Sequence, residues 1–189
     1  MAATGKTVRN AASASRHPDK VASGIIIGGK SIATDDNVAR LATVIQSEAG
    51  VYGGTAQAMV GWTIVNRMKS HQYDRVSSVI FDHGHRQYAS NQPATSQTLR
   101  IAREILSGRA HDISGGATYF YSPQVMPKEK DADSVKHGKD IGGGLESVTG
   151  VVDKKGAPAR NYRLSWANYF DHVAVPGLDE RNFKFYRGK

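Results

Sequence analysis

Glu48 interrupts an apolar stripe. In "NVARLATVIQSEAGVYGG", Val38, Leu41 and Ile45 recur at the three- and four-residue spacing of one buried helix face, and the next position on that face is Glu48. Burial at the end of such a stripe disfavours the ionised carboxylate, and so does the negative end of the helix dipole. Both push the carboxyl pKa up, towards what a general acid needs near neutral pH. A lone protonated glutamic acid is the minimal equipment for protonating a glycosidic oxygen. If water is the nucleophile, a second carboxylate is usually required. Asp82 is the best candidate for it, with Asp74 and Asp112 behind.

The other reactive residue types offer less. The chain has no cysteine, which excludes disulfides, thiolate nucleophiles and cysteine-ligated zinc. The histidines (His17, His71, His83, His85, His111, His137, His172) are scattered, "HGH" is a weak ligand spacing, and no HExxH occurs. No metal site and no cofactor are expected. There is no GxSxG elbow. "GIIIGGKS" has the spacing of a phosphate loop but lacks the strand and helix that must flank one, and reads as a coincidence. Aromatics with polar tips are more telling. Tyr88 in "HRQYAS", Tyr119 and Tyr121 in "TYFY", and Trp166 in "LSWA" combine flat apolar faces with hydrogen-bonding edges, as a sugar ring requires. Strand alternation turns Phe120 away from its two tyrosine neighbours, into the core.

These residues need a scaffold. At 189 residues the chain suits one compact domain, with 39% hydrophobic and 22% charged residues. No apolar run reaches the roughly 18 residues of a membrane span, and the N-terminus shows no apolar h-region, so neither membrane insertion nor a visible signal peptide is expected. Residues 1–33, rich in Ala, Ser, Gly and Lys, read as an arm or linker, and residues 34–189 as the catalytic domain. The first helix is expected after "ATDDN", capped by Thr34, Asp35 or Asp36, with Gly50 turning left-handed behind it. A second, capped by Thr55, covers "AQAMVGWTIVNRMK" and is apolar nearly all round, with Gln57, Thr63 and Asn66 as polar interruptions. "VSSVIF" predicts a short third helix. "TSQTLRIAREILSG" predicts a fourth, with Leu99, Ala102, Ile105 and Leu106 inward and Gly108 closing it. "ATYFY" predicts a strand. Residues 124–160 read as a long loop, "LSWANYF" returns to helical spacing, and "FKFY" closes with alternating aromatics. The sum is an α+β fold, mainly α-helical, with a minor β element.

Three segments, "LATVIQSEAGVYGGTAQAMVGWTIVNRMKS", "VIFDHGHRQYAS" and "AREILSGRAHDISGGATYFYSP", resemble the catalytic domain of the spore cortex-lytic (SleB-type) cell-wall hydrolases. The resemblance runs in register over about residues 38–123 and resumes weakly at "LSWANYF" and "FKFYRG". It implies a lysozyme-like, lytic-transglycosylase-type domain that cleaves the MurNAc–GlcNAc bond of peptidoglycan. The catalytic acid then falls on Glu48, and Gln87, Tyr88, Ser90, Tyr119 and Tyr121 line the glycan groove. Asn66 and Arg67 brace it from the buried helix. The sequence departs from the pattern at Leu164-Ser165, where a proline is usual, and over residues 124–160.

The net charge of +8 and the pI near 9.7 call for an anionic partner, and bacterial peptidoglycan qualifies. Without a visible signal peptide, the expected site of action is the periplasm or cell wall of a target or host bacterium. The enzyme would be an antibacterial toxin effector, with a cognate immunity protein, or a phage endolysin. No specific nucleic acid is expected. Two other classes stay open on sequence alone: a basic nucleic-acid-binding module without enzymatic activity, and a zinc-dependent wall amidase.

Overall fold

The structure is a computed structural model that describes residues 24–84, 87–122, 145–152, 158–164 and 169–188. It opens on a hairpin of β1 (Ile26–Ile27) and β2 (Lys30–Ser31). Its turn is Gly28-Gly29, at φ 56° and 76°. Two left-handed residues in a two-residue turn match the twist of paired strands, and glycine adopts them without strain. Ile27 and Ile32 are buried, and the Ile25 N–H donates to the Leu106 carbonyl at 3.0 Å. The expected arm boundary at residue 33 is therefore corrected: residues 24–33 pack as part of the domain. Their glycine-rich composition hides four isoleucines that bracket a turn. Residues 1–23 lie outside the described residues.

Helix α1 (Asp35–Ala49) starts at Thr34, whose side chain accepts from the Asn37 N–H, and buries Val38, Leu41, Ala42, Ile45 and Ala49. Gly50 does not turn left-handed; its φ is −59°. Glycine is needed there for room, because a Cβ would run into the Gln46 carbonyl and side-chain amide. Helix α2 (Gly54–His71) is buried on nearly every side, and its cap is Gly53 rather than Thr55. Its Gly61 is the point of closest approach. A Cβ there would lie 3.0 Å from Ile45 of α1 and 2.7 Å from Ile105 in the fourth helix.

Helix α3 (Val76–Ile80) leads into a 3-10 turn over Asp82–Gly84. Buried Asn37 ties this region together. Its amide donates to the Ile32 and Asp74 carbonyls at 3.0 and 2.9 Å and accepts from the Val76 N–H at 2.9 Å. Helix α4 (Ser96–Leu106) opens on a reciprocal cap between Thr95 and Thr98 and buries Ile101, Ala102, Ile105 and Leu106, with Gly108 at φ 71° beyond it. Leu99 is partly buried against the same core.

Strands follow: β3 (Tyr119–Tyr121), β4 (Leu145–Val152), β5 (Pro158–Leu164), β6 (Asp171–Val173) and β7 (Lys184–Arg187). The order β3-β7-β6 makes one antiparallel sheet, with Tyr119 opposite Tyr186 and Phe120 opposite Phe185. Among the described residues, β4 and β5 pair with each other, shifting register between Val148 and Val151. Where one loop was expected over residues 124–160, 145–152 is thus a strand and 158–160 begins another. "LESVTGVV" is rich in the β-branched residues that favour strands, a signal too short to stand out in a charged, glycine-rich stretch. The helical spacing expected of "LSWANYF" is not met at Leu164, the last residue of β5; residues 165–168, with Trp166, lie outside the described residues. The fold is α+β and mainly helical, and α1, α2 and α4 enclose the core.

Candidate active site

Glu48 lies in the last turn of α1, half-buried, with its neighbour Ala49 fully inside. The end of α1 is tied down by a buried side chain of α2. Gln57 Nε2 donates to the Tyr52 carbonyl at 3.2 Å and to the Ala49 carbonyl at 3.5 Å, while Gln97 Nε2 of α4 donates to Gln57 Oε1 at 2.8 Å. The buried glutamine thereby satisfies the Tyr52 carbonyl and adds to the bond that the Tyr52 N–H already makes to the Ala49 carbonyl. On the far side, the Ala89 N–H donates to Glu48 Oε1 at 2.6 Å. Burial raises the Glu48 carboxyl above its ordinary value of 4.5, and the Ala89 N–H opposes that rise without cancelling it.

Behind Glu48 stands a row of polar groups inside the protein. Tyr88 is buried, its phenol pushed up to about 12 by that burial, with the Glu48 charge adding and the Arg67 charge opposing. Arg67 Nη1 donates to Tyr88 Oη at 3.1 Å, and Nη2 reaches Asp82 Oδ2 at 3.0 Å. The Tyr73 hydroxyl donates to Asp82 Oδ1 at 2.9 Å. The guanidinium also lies 5.0 Å from the centre of the Tyr119 ring. Asn66, next on α2, donates its amide to Ser114 Oγ at 2.8 Å and to the Ala117 carbonyl at 3.2 Å, fixing the approach to β3.

The expected site residues divide accordingly. Arg67 bridges Tyr88 and Tyr119, and Glu48 is held by the Ala89 N–H next to Tyr88. Asp82, expected as a second reacting carboxylate, is 4% exposed with both oxygens bonded and is buried against a guanidinium. Its reserves are also engaged, Asp74 by Lys30 at 3.2 Å and Asp112 by Ser114 and Asn66. Tyr88, expected to offer a face to sugar, instead packs on Phe120 at 5.6 Å between ring centres. Tyr121 is likewise 5% exposed, stacked on Tyr186 at 6.0 Å. Tyr119 is half-buried and lines a depression of about 380 Å³ with Arg67, His71, Thr118 and Phe170. Gln87 is exposed, its N–H held by the Ile80 carbonyl at 2.8 Å. Ser90 is half-buried in a depression of about 450 Å³ with Asp36, Arg40, Thr43 and Phe81. Trp166 and His85 lie outside the described residues. Phe120 is half-buried and packs against the core residues Phe183 and Phe185, on the side alternation predicts.

Two participants had no sequence signal as such. Ala89 acts through its backbone, and Tyr73 stands just past the helix end, where an aromatic has many uses. Among the described residues, no three His, Asp or Glu side chains converge to hold a metal ion, and no helix is long and apolar enough to cross a membrane.

Residues 53–143 match the model of a family described as Cell Wall Hydrolase. The match covers a little under half of the chain, from the start of α2 past β3, and begins five residues after Glu48. It supports the cell-wall hydrolase class, an enzyme that acts on peptidoglycan. No curated protein and no solved structure matches the chain.

Proposed function

We propose that this chain cleaves the glycan strand of peptidoglycan at the MurNAc–GlcNAc bond, with Glu48 as the general acid. The observation that carries this reading is the state of Glu48: half-buried, raised in pKa, and gripped at Oε1 by the Ala89 N–H at 2.6 Å. The family match supplies the substrate class. In the first step Glu48 protonates the glycosidic oxygen as the bond to the sugar C1 breaks, giving an oxocarbenium-like transition state. The carboxylate so formed then serves as a base.

Two products share that acid. In a hydrolysing muramidase water attacks C1, and a second carboxylate usually activates it or stabilises the sugar. In a lytic transglycosylase the muramyl 6-hydroxyl attacks C1, Glu48 takes its proton, and a 1,6-anhydro end results. Among the described residues, the engagement of the three candidate second acids, Asp82, Asp74 and Asp112, supports the second route. Mass spectrometry of fragments released from purified peptidoglycan tests the assignment. The expected products are muramyl ends lighter by one water than reducing ends. Reducing muramyl ends would show hydrolysis, and release of peptides with intact glycan strands would overturn glycan cleavage altogether.

A further inference from the structure

The buried pair Arg67–Asp82 has no role in the chemistry just described. Its side chains are 10% and 5% exposed, and the charges meet at 3.0 Å. A buried ion pair is weak evidence for stability, because desolvation offsets much of the attraction. Its position is more informative. Asp82 is fixed from both sides, by Tyr73 and Arg67, and Arg67 passes the constraint to the Tyr88 hydroxyl. The peptide bond after Tyr88 carries the very N–H that holds Glu48 Oε1. The Ala89 N–H bonds Glu48 directly, and the Tyr88 phenol lies near enough to feel its charge. Behind them stand Arg67 from α2, Asp82 from the 3-10 turn and Tyr119 from β3.

Electrostatics gives the pair a second use. An unpaired guanidinium bonded to Tyr88, whose phenol feels the Glu48 charge, would favour the ionised form of Glu48 and so disarm it as an acid. Asp82 cancels that charge while leaving the guanidinium's hydrogen bonds in place. Resting on the reading of Glu48 as the acid, we infer that Arg67 and Asp82 are positioning residues. They form a charge-neutral anchor that sets Tyr88, and through it the Ala89 N–H on Glu48 Oε1, so that Oε2 carries the proton to the substrate.

The test follows Glu48 itself. Its carboxyl carbon is titrated by NMR in the full chain, assigned by its loss in Glu48→Gln, with the Ala89 amide proton as second reporter and pH–rate profiles on purified peptidoglycan alongside. Asp82→Asn should lower the proton affinity of Glu48 by about tenfold and move the basic limb of kcat down with it. Arg67→Met with Asp82→Asn should restore the midpoint. Tyr88→Phe should speed exchange of the Ala89 amide and lower kcat by about tenfold with KM unchanged. Should Asp82→Asn not fold, the near-isosteric Tyr88→Phe decides alone. An unchanged Glu48 midpoint and Ala89 amide in the folded variants would overturn the anchor, even if activity falls. Full activity of Glu48→Gln would instead sink the general-acid reading, a separate outcome because the titrations need no turnover.

Discussion

Ala89 donates its backbone N–H to Oε1 of Glu48 over 2.6 Å, joining residues 41 positions apart in the chain. An amide donor favours the carboxylate, whereas burial favours the neutral acid, and here burial prevails. The balance gives a carboxyl that is held in place and still inclined to keep its proton.

Stability should therefore depend on pH through Glu48 in a definite sense. A carboxyl whose folded pKa lies above 4.5 contributes stability that is fully present below 4.5 and is lost as pH rises through the folded value. Glu48→Gln removes that loss and keeps an oxygen for the Ala89 N–H. Denaturant melts should show the variant gaining on the wild type between pH 4 and pH 7. A variant that loses ground over that interval would contradict the raised pKa.

Gly61→Ala should destabilise by about 1 kcal/mol, because an overpacking cost of about 1–3 kcal/mol is offset by the roughly 1 kcal/mol that alanine gains over glycine inside a helix. The added methyl meets Ile105 at 2.7 Å and Ile45 at 3.0 Å, where α1, α2 and α4 converge. Equilibrium unfolding measures it, and an unchanged midpoint would mean that the Ile45 and Ile105 side chains shift to admit the methyl.

Phe120→Ala and Tyr121→Ala should both lower stability, Phe120→Ala by about 2 kcal/mol, below the roughly 3–5 kcal/mol usual for a fully buried aromatic because the ring is half-buried. Phe120 touches Tyr88, Phe183 and Phe185, and Tyr121 stacks on Tyr186. Tyr121→Phe keeps the stack and should leave the rate of wall cleavage within about twofold, since one hydroxyl bond to sugar would be worth up to about tenfold. Thermal melts and initial rates separate the cases. A large rate loss in stable Tyr121→Phe would return that residue to the glycan groove.

If the net charge of +8 draws the chain to an anionic wall, cleavage should slow with added salt, as the Debye length shrinks to about 8 Å at 0.15 M. Rates on purified peptidoglycan across a salt series measure this. A flat series would remove charge from the account.

The sequence made some of this legible and hid the rest for physical reasons. Glu48 stood out because a helix stripe is periodic, and an acid on it breaks the period. Phe120 could be aimed inward because strand alternation is strict. Tyr88 and Tyr121 were expected at the surface because a tyrosine suits a core and a sugar equally, and only packing decides. Asp82 looked like a reactive acid because its partner Arg67 lies 15 residues away on a different element. The Ala89 contact had no side chain to announce it. The hairpin at residues 26–31 and the pairing of β4 with β5 depend on neighbours more than on period, so composition read them as arm and loop.

The central claim is that Glu48 supplies the proton that breaks the glycosidic bond. Its most direct test is the rate of glycan fragment release from purified peptidoglycan by Glu48→Gln, with melting checked on the same sample. The account predicts a normally folded variant with kcat reduced by at least about two orders of magnitude, the usual share of general acid catalysis. A folded variant that releases fragments at close to the wild-type rate would contradict it.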